Sequence, residues 1–336
     1  MKTRNANDKN ARYYFKQQGG WSLVRRYARA GCLPLALNQL LALGGKHQGL
    51  EILRLSTQYR IREKLRRRYR QELQALVAHH SPNPSRGLKE EDKGVDYVWF
   101  CWLQGIHQAP EVVQKCYASA RKAYEGRRQV VLITEKNYRN YVTFPQEIQD
   151  KIARGVIAGA HLADLIRLEL LINYGGIWSD ATVFYASRDL PDWLFKKELF
   201  AYQLLKPGRD GQALQMSNWL LVAPRLDRLL LITRDLLYSY WRDHDDLLDY
   251  YLFHAFFQLA VEACPKDWAR VVPVDSSAPH QLGLRLFEPY DPRIWAAIAR
   301  QTAIHKLSHK FPEEDFAKPA TFYQQVVGQM KGACDD

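Results

Sequence analysis

A strand, a helix and a second strand follow one another between residues 95 and 134, and this order constrains the fold more than any other feature. The run VDYVWFCWL, from Val95 to Leu103, is rich in aromatic and β-branched residues and predicts a buried strand. PEVVQKCYASARKAYEG then predicts a helix, and QVVLIT predicts a second buried strand. This βαβ order predicts a parallel sheet with a nucleotide-sized crevice at its carboxyl edge.

The residues before this unit predict a separate helical region, residues 1–80. LPLALNQLLAL is apolar, Gly44 and the next glycine interrupt it, and LEILRLSTQYRIREKLRRRYRQELQALV predicts one long amphipathic helix. Its expected buried stripe consists of Ile61, Leu65, Leu73 and Leu76. SPNPSRGLKEEDKG, residues 81–94, is typical of a linker, and residues 95–336 form the second predicted domain.

The positive charge of the chain is concentrated at its N-terminal end. The formal net charge is +12, and residues 1–95 contain 20 Lys and Arg against 7 Asp and Glu, compared with 28 against 29 in the remainder. Such an excess indicates an anionic partner, either a membrane leaflet or nucleic acid, or else a solvated helix face. No run resembles a signal peptide or a membrane span, and the five cysteines lack CxxC spacing. We therefore expect a cytoplasmic protein.

The segment ADLIRLELLINYGGIWSDATVF contains the most informative polar residues. Asp164 and Arg167 are three residues apart on a predicted helix and therefore share one face. A glycine pair ends this helix, and the predicted third strand IWSDATVFY carries Asp180 near its middle. A carboxylate in an apolar strand needs a cation or a hydrogen-bond donor. The alternative for Asp164 and Arg167 is an ordinary solvated ion pair.

These motifs together resemble the capsular polysaccharide synthesis family, a DXD-type group similar to the DXD-bearing mannosyltransferases and the bacterial glucosylating toxins. The resemblance covers roughly Asp96 to Lys310. It depends on VWFCWLQG, D-x-x-R, YGG-x-W-x-D-x-T, SNWLL, YWRDHDDLLDYYLFH and HKLSHK. It implies an α/β fold of the GT-A glycosyltransferase type, with a mixed, mostly parallel sheet flanked by helices after the helical N-terminal region.

The resemblance also implies the residues of the site. Asp164, Arg167 and Asp180 are expected to be catalytic. The residues expected to bind the donor are Trp102, Gln104, Gly105, Asp164, Arg167, Gly175, Gly176, Asp180, Thr182, Ser217, Asn218, Trp219, Lys306 and Lys310. Several of these residues also have a purely structural interpretation. Trp102 fits a core residue, the SNW segment fits an ordinary turn, and the lysines fit exposed surface charges.

A divalent cation, Mn²⁺ or Mg²⁺, is the cofactor that the resemblance implies. Asp180 and His305 are its expected ligands. Thr182 replaces the second aspartate of the DXD motif and offers only a neutral hydroxyl, which weakens direct ligation of the metal. Asp249 and Tyr250, on a predicted tyrosine-rich helix, are expected to contact the acceptor or else to belong to the core.

The activity implied by the resemblance is transfer of a sugar from a nucleoside diphosphate sugar to a glycan or lipid-linked acceptor. Uridine is the expected base, and the anomeric configuration is expected to be retained. The N-terminal helices would attach the enzyme to the inner face of the cell membrane. Two alternatives stay open: a transferase-like domain that binds a glycan or nucleotide without turnover, and a nucleic-acid-binding protein that uses EKLRRRYR.

Overall fold

The computed structural model describes residues 20–82, 97–203 and 216–330, and four helices precede its first strand. The helices are α1 (Trp21–Ala30), α2 (Leu33–Leu43), α3 (His47–Arg68), α4 (Arg70–His79), α5 (Glu111–Tyr124), α6 (Gln146–Ala153), α7 (Gly159–Tyr174), α8 (Arg228–Asp243), α9 (Leu252–Ala263), α10 (Pro265–Trp268), α11 (Ser277–Leu284), α12 (Pro292–Gln301) and α13 (Glu313–Phe316). The strands are β1 (Tyr97–Cys101), β2 (Gln129–Ile133), β3 (Gly176–Ser179), β4 (Val183–Tyr185), β5 (Phe200–Gln203), β6 (Met216–Ala223) and β7 (Ile304–Lys306).

Five strands form a mixed sheet in the order β2-β1-β3-β6-β5. β1 pairs in parallel with β2 and β3, as the βαβ pattern predicts. β6 pairs antiparallel with β3 and β5. The predicted α/β class with a mixed sheet and N-terminal helices is confirmed. Among the described strands of this sheet, β1, β2, β3 and β5 run in one direction and β6 runs in the opposite one, so the expected mixed, mostly parallel sheet is confirmed.

The two faces of the sheet pack against different helices because side chains alternate along each strand. On one face, Trp99 and Trp178 join a core with the leucines of α7, α8 and α9. On the other face, Val98 and Ile177 pack with α5 and β4, and Phe100 extends this layer towards α12. The helices thus cover both faces and leave the strand ends accessible.

The predicted third strand, IWSDATVFY, is two strands joined by a tight turn. β3 ends at Ser179, the N–H of Val183 donates to the carbonyl of Asp180 at 2.9 Å, and β4 then pairs with β7 in a second sheet. Asp180 therefore lies in a turn at the carboxyl end of β3. The prediction of a mid-strand position is corrected, because apolar residues on both sides of the turn hid the change from one sheet to another.

The N-terminal helices pack onto the rest of the molecule. The predicted long helix divides at Tyr69 into α3 and α4, and Ile61 and Leu65 of its predicted stripe are buried in the same core as α8 and α9. The Arg228 side chain donates to the carbonyls of Val77 and His80 at the end of α4. Residues 1–19 and most of the predicted linker, residues 83–94, lie outside the described residues. Within the described ranges, no helix has the length and hydrophobicity of a membrane span.

Candidate active site

Polar side chains gather where strands β1 and β3 end. β1 leads into Trp102 and β3 leads into Asp180, and the two strands are hydrogen-bonded neighbours. The N–H of Asp180 donates to the carbonyl of Trp219 on β6 at 2.9 Å, which fixes the turn after β3. The parallel pairing therefore brings Asp180 to the carboxyl edge of the sheet, where ligands bind in open α/β sheets.

Arg167 joins the two carboxylates predicted to be catalytic. Its Nη1 donates to Asp164 Oδ1 at 2.8 Å, and its Nη2 donates to Asp180 Oδ1 at 3.1 Å. The guanidinium carbon lies 4.7 Å from the centroid of the Trp178 ring and 5.5 Å from that of Phe253. The Arg167 side chain is only 5% exposed. Asp164 and Arg167 are therefore not a solvated surface pair, because aromatic rings and two carboxylates enclose the guanidinium.

Asp164 is a buried carboxyl with several polar neighbours. Asn218 Nδ2 donates to the same Oδ1 atom at 3.2 Å, and His161 Nδ1 lies 4.0 Å from Oδ2. Burial raises the pKa of Asp164 to about 6, while the nearby Arg167 lowers this pKa and the charge of Asp180 raises it. A carboxyl group with a raised pKa in a polar cleft is typical of functional sites.

The raised pKa of Asp164 predicts how stability depends on pH. The folded pKa exceeds the unfolded value of about 3.9, so the folded protein binds this proton more readily than the unfolded chain. Ionised Asp164 therefore costs stability above about pH 6, and this cost disappears as the pH falls towards about 4. From pH 7.5 to 4.5 we expect the unfolding free energy of the wild type to rise by about 1–3 kcal/mol relative to Asp164→Asn in urea denaturation. A difference that stays constant with pH would contradict this assignment.

Lys306 approaches Asp180 from the other side of the site. Val183 pairs with Lys306 across β4 and β7, and the N–H of Leu307 donates to the carbonyl of Thr182 at 2.8 Å. Lys306 Nζ donates to Thr182 Oγ1 and lies 3.5 Å from Asp180 Oδ2. The structure thus brings together three residues predicted to bind the donor.

Trp102 borders the same edge of the sheet. Its ring meets that of His309 edge-on at 5.4 Å between centroids, and its buried Nε1 has no hydrogen-bond acceptor among the described residues. Gln104 is exposed, and Gly105 turns the chain with a φ of +86° and open space beside its Cα. The half-buried indole and this open turn leave room for a flat ligand beside Trp102.

Lys310 extends the positive charge beyond Lys306. It is exposed, and its N–H donates to Ser308 Oγ at 3.1 Å. Burial lowers the pKa of His309, and the charges of Lys310 and Lys306 lower it further. Lys306 and Lys310 therefore place two positive charges near His309, beside the Trp102 ring, and this suits an anionic ligand.

The glycine pair predicted to bind the donor lies at the other end of β3. Gly176 begins this strand, which puts it about 13 Å along the chain from Asp180. A β-carbon at Gly176 would lie 2.5 Å from the carbonyl oxygen of Tyr97, and Gly175 ends α7 with a φ of +70°. The donor-binding assignment of Gly175 and Gly176 is corrected, since the turn and the close approach to β1 account for both.

Adjacent residues of β6 face opposite sides of the sheet. Asn218 contacts Asp164, whereas the Trp219 ring stacks on Tyr202 at 4.6 Å in the core of the other face. Ser217 is half-buried and precedes them. Because strand side chains alternate, Asn218 belongs to the site and the expectation for the Trp219 side chain is corrected. Trp219 contributes its carbonyl, which holds the turn at Asp180.

The residues predicted to hold a divalent cation do not fit one. His305 is fully buried beside Trp295, and alternation along β7 directs its ring away from the face that carries Lys306. Asp180 already accepts from Arg167 through Oδ1 and faces Lys306 through Oδ2. Among the residues described, no three His, Cys, Asp or Glu side chains form a metal-binding group. Mg²⁺ can bind through a single carboxylate when substrate phosphates and waters complete its shell, but here Asp180 Oδ2 and Thr182 Oγ1 both face the Lys306 ammonium, which a cation would have to displace.

The predicted acceptor residues precede α9 and do not lie on a helix. Tyr250 is half exposed, and its ring meets that of His161 at 5.7 Å between centroids. Burial raises the pKa of Tyr250, and the charge of Asp164 raises it further. Asp249 Oδ1 accepts from the N–H of Tyr251 at 3.3 Å. Tyr250 therefore borders the site, whereas Asp249 stabilises the turn beside it.

Three residues that the sequence did not single out lie at this site or feel its charges. Trp178 Nε1 donates to Asp180 Oδ1 at 2.8 Å, and alternation along the strand could have indicated their shared face. His161 precedes Asp164 by three residues, a helical spacing that could also have been recognised. The His254 pKa is lowered to about 3, first by burial and then by the Arg167 cation. Only tertiary packing brings His254 here, and no local pattern indicates it.

Carboxylates, a guanidinium and an ammonium lie together at the carboxyl edge of the sheet. This arrangement suits an α/β protein that binds a polar, anionic small molecule. The chain belongs to the capsular polysaccharide synthesis protein family, whose model matches residues 46–326. No curated protein sequence matches the chain significantly. Among solved structures, it is similar to one titled PaToxG Glycosyltransferase, with 16% identity, a TM-score of 0.36, and coverage of 81% of this chain and 97% of that chain.

Proposed function

We propose that this protein is a glycosyltransferase of the GT-A type that moves a sugar from a nucleoside diphosphate sugar, with uridine as the leading base, to a glycan or lipid-linked acceptor of a surface polysaccharide. The observation that carries the proposal is the convergence of Asp164, Arg167 and Asp180 at the sheet edge, with Lys306 beside them. Carboxylates accept hydrogen bonds from sugar hydroxyls, and cations bind phosphate. The family membership supports a role in capsule synthesis.

The donor would lie along the edge from Trp102 to Asp164. The base stacks on the Trp102 ring beside Gln104 and Gly105, and stacking on an aromatic side chain contributes about 1–3 kcal/mol per base. The diphosphate contacts Lys306 and Lys310, and Ser217 lines the remaining wall. Asp164 and Arg167 then hold the hydroxyls of the transferred sugar, an arrangement supported by their burial and mutual hydrogen bond.

The proposed chemistry is transfer with retention of the anomeric configuration. The bond between the anomeric carbon and the phosphate oxygen breaks, and its electron pair stays on the phosphate. The acceptor hydroxyl attacks from the same face, and its proton passes to the departing phosphate oxygen. Arg167 and Lys306 stabilise the developing negative charge. Tyr250, half exposed beside His161, is the proposed boundary of the acceptor site.

A donor screen tests this function. Purified protein is incubated with UDP-, GDP- and CMP-sugars, with and without Mn²⁺, and release of free nucleotide is followed beside direct binding of each nucleotide. Turnover with one donor supports the transferase and identifies its sugar class. Nucleotide binding without turnover, even with lipid-linked acceptors added, would favour a non-catalytic binding protein. Absence of any nucleotide binding would contradict the proposed function.

We also propose that the N-terminal helices attach the protein to the inner face of the cell membrane. Residues 20–82 contain 12 Lys and Arg against 3 Asp and Glu. Large apolar side chains are exposed on the same helices: Trp21, Leu37, Leu40, Leu41, Leu43, Ile52, Leu55 and Tyr59. Basic residues near an anionic leaflet contribute about 1 kcal/mol each, and exposed apolar side chains add burial in the interface.

Vesicle sedimentation tests this attachment. The protein should bind vesicles containing phosphatidylglycerol, and the bound fraction should fall sharply as salt rises from about 0.05 M to about 0.5 M. Leu41 is 84% exposed and is expected to insert into the membrane interface, so Leu41→Ser should weaken vesicle binding several-fold. Leu284→Ser is the matched control, because Leu284 is 75% exposed on α11. Equal effects of the two substitutions, or no binding at all, would argue against membrane attachment.

A further inference from the structure

The two oxygens of the Asp180 carboxylate contact different positively charged side chains. Asp180 Oδ1 accepts from Arg167 Nη2 and from Trp178 Nε1, at 3.1 and 2.8 Å. Asp180 Oδ2 faces Lys306 Nζ at 3.5 Å, and the same ammonium donates to Thr182 Oγ1. The Lys306 ammonium thus bridges the two side chains of the D-x-T sequence. In a D-x-D motif, a divalent cation would bind there.

The position of Lys306 is set by the backbone. β7 pairs with β4 so that Lys306 lies opposite Val183, and the N–H of Leu307 donates to the carbonyl of Thr182. The side chain is 19% exposed, so one side of the ammonium reaches the open edge of the site. A lysine held this way presents a fixed positive charge without an added ion.

We propose that Lys306 replaces the divalent cation of the donor site, so that the protein binds the diphosphate of its sugar nucleotide, and transfers the sugar, without a metal ion. This inference rests on the proposed function. The Lys306 side chain faces the phosphate oxygen that takes up the electron pair when the bond between that oxygen and the anomeric carbon breaks. Asp180 and Thr182 then orient the lysine.

The balance of charges supports this replacement. Arg167 and Lys306 contribute two positive charges, and Asp164 and Asp180 contribute two negative charges when ionised. A divalent cation at Asp180 Oδ2 would lie within a few ångströms of the lysine ammonium, and this repulsion is weakly screened in a partly buried site. Thr182 supplies no second carboxylate to offset it. A diphosphate can instead contact the Lys306 ammonium, which Asp180 and Thr182 already hold in place.

Isothermal titration calorimetry with UDP, GDP and CDP tests the proposal, first in EDTA and then in Mn²⁺. The wild type is expected to bind one of the three with an affinity that changes less than about threefold between the two conditions. Lys306→Met should weaken this affinity at least about tenfold, and Lys306→Arg should retain most of it. The matched control is Lys266→Met, because Lys266 is exposed on α10, away from the site. Thermal unfolding of each variant verifies that it folds.

A second variant exchanges the internal cation for an external one. Thr182→Asp combined with Lys306→Ala restores two carboxylates and removes the ammonium. Its diphosphate binding should require Mn²⁺, and the electron paramagnetic resonance signal of free Mn²⁺ should fall when nucleotide is added. The wild type should leave that signal unchanged under the same conditions.

The outcomes separate this inference from the function beneath it. Metal-independent binding in the wild type, lost in Lys306→Met, supports the lysine as the counter-ion. Wild-type binding that needs Mn²⁺, or that Lys306→Met leaves intact, overturns the inference while the glycosyltransferase proposal stands. Failure of all three nucleotides to bind in either condition overturns both.

Discussion

Asp180→Asn is expected to lower kcat/KM for sugar transfer by about a thousandfold in protein that stays folded at the assay temperature. The amide keeps the shape of the side chain but removes the charge that orients Arg167 and Lys306. Both cations would lose their fixed geometry towards the leaving phosphate, and preorganised charge is usually the largest contribution to such catalysis. Rates are measured with the donor that the screen identifies.

The matched control for Asp180→Asn is Asp189→Asn. Asp189 follows β4 in an exposed segment, so its neutralisation tests the loss of one negative charge without disturbing the site. We expect its kcat/KM to stay within about twofold of the wild type, as for most substitutions at exposed positions. Equal rates for the wild type and Asp180→Asn would remove Asp180 from the catalytic site.

Arg167→Met is expected to lower the free energy of unfolding at about pH 7.5 by about 3–5 kcal/mol, the usual cost of leaving buried charges without their partner. Asp164 and Asp180 would then face each other without the guanidinium between them, and Phe253 would lose a cation from its ring face. The loss should shrink at lower pH, because Asp164, whose pKa burial already raises to about 6, takes up a proton. Urea denaturation at two pH values measures both effects.

Arg188→Met provides the comparison for Arg167→Met. Arg188 pairs with Glu125 at 3.1 Å, but both side chains are more than half exposed. Exposed pairs contribute about 0–1 kcal/mol, so a small change is expected. A similar small change in Arg167→Met would mean that Arg167 does not hold the two carboxylates together in solution.

Local patterns predicted the elements of the fold better than their connections. The aromatic run before Trp102 and the apolar run before Asp180 both form strands of the central sheet, because each has the continuous apolar sequence of a strand buried on both faces. The break at Asp180 was missed, because Val183 and its neighbours are as apolar as β3. The reversed direction of β6 could not be predicted, because pairing direction depends on tertiary contacts and leaves no periodic signal.

In the candidate site, too, local spacing was predicted correctly and tertiary contacts were not. Asp164 and Arg167 were predicted to share a helix face, and they do. Lys306 was predicted to bind the donor because it lies in the HKLSHK motif. Its contact with Thr182 depends on the pairing of β4 with β7, which sequence spacing does not reveal. The glycine pair was assigned to the ligand because the sequence cannot distinguish a glycine needed by a neighbouring strand from one needed by a substrate.

The most direct test of the central claim is a crystal structure of the protein soaked with the nucleoside diphosphate that binds best. The account predicts that the diphosphate lies against Lys306 beside Asp180, with the base on the Trp102 ring and the position of the sugar open towards Asp164. A nucleotide bound at another surface, or one whose diphosphate points away from Lys306 and Asp180, would contradict the account.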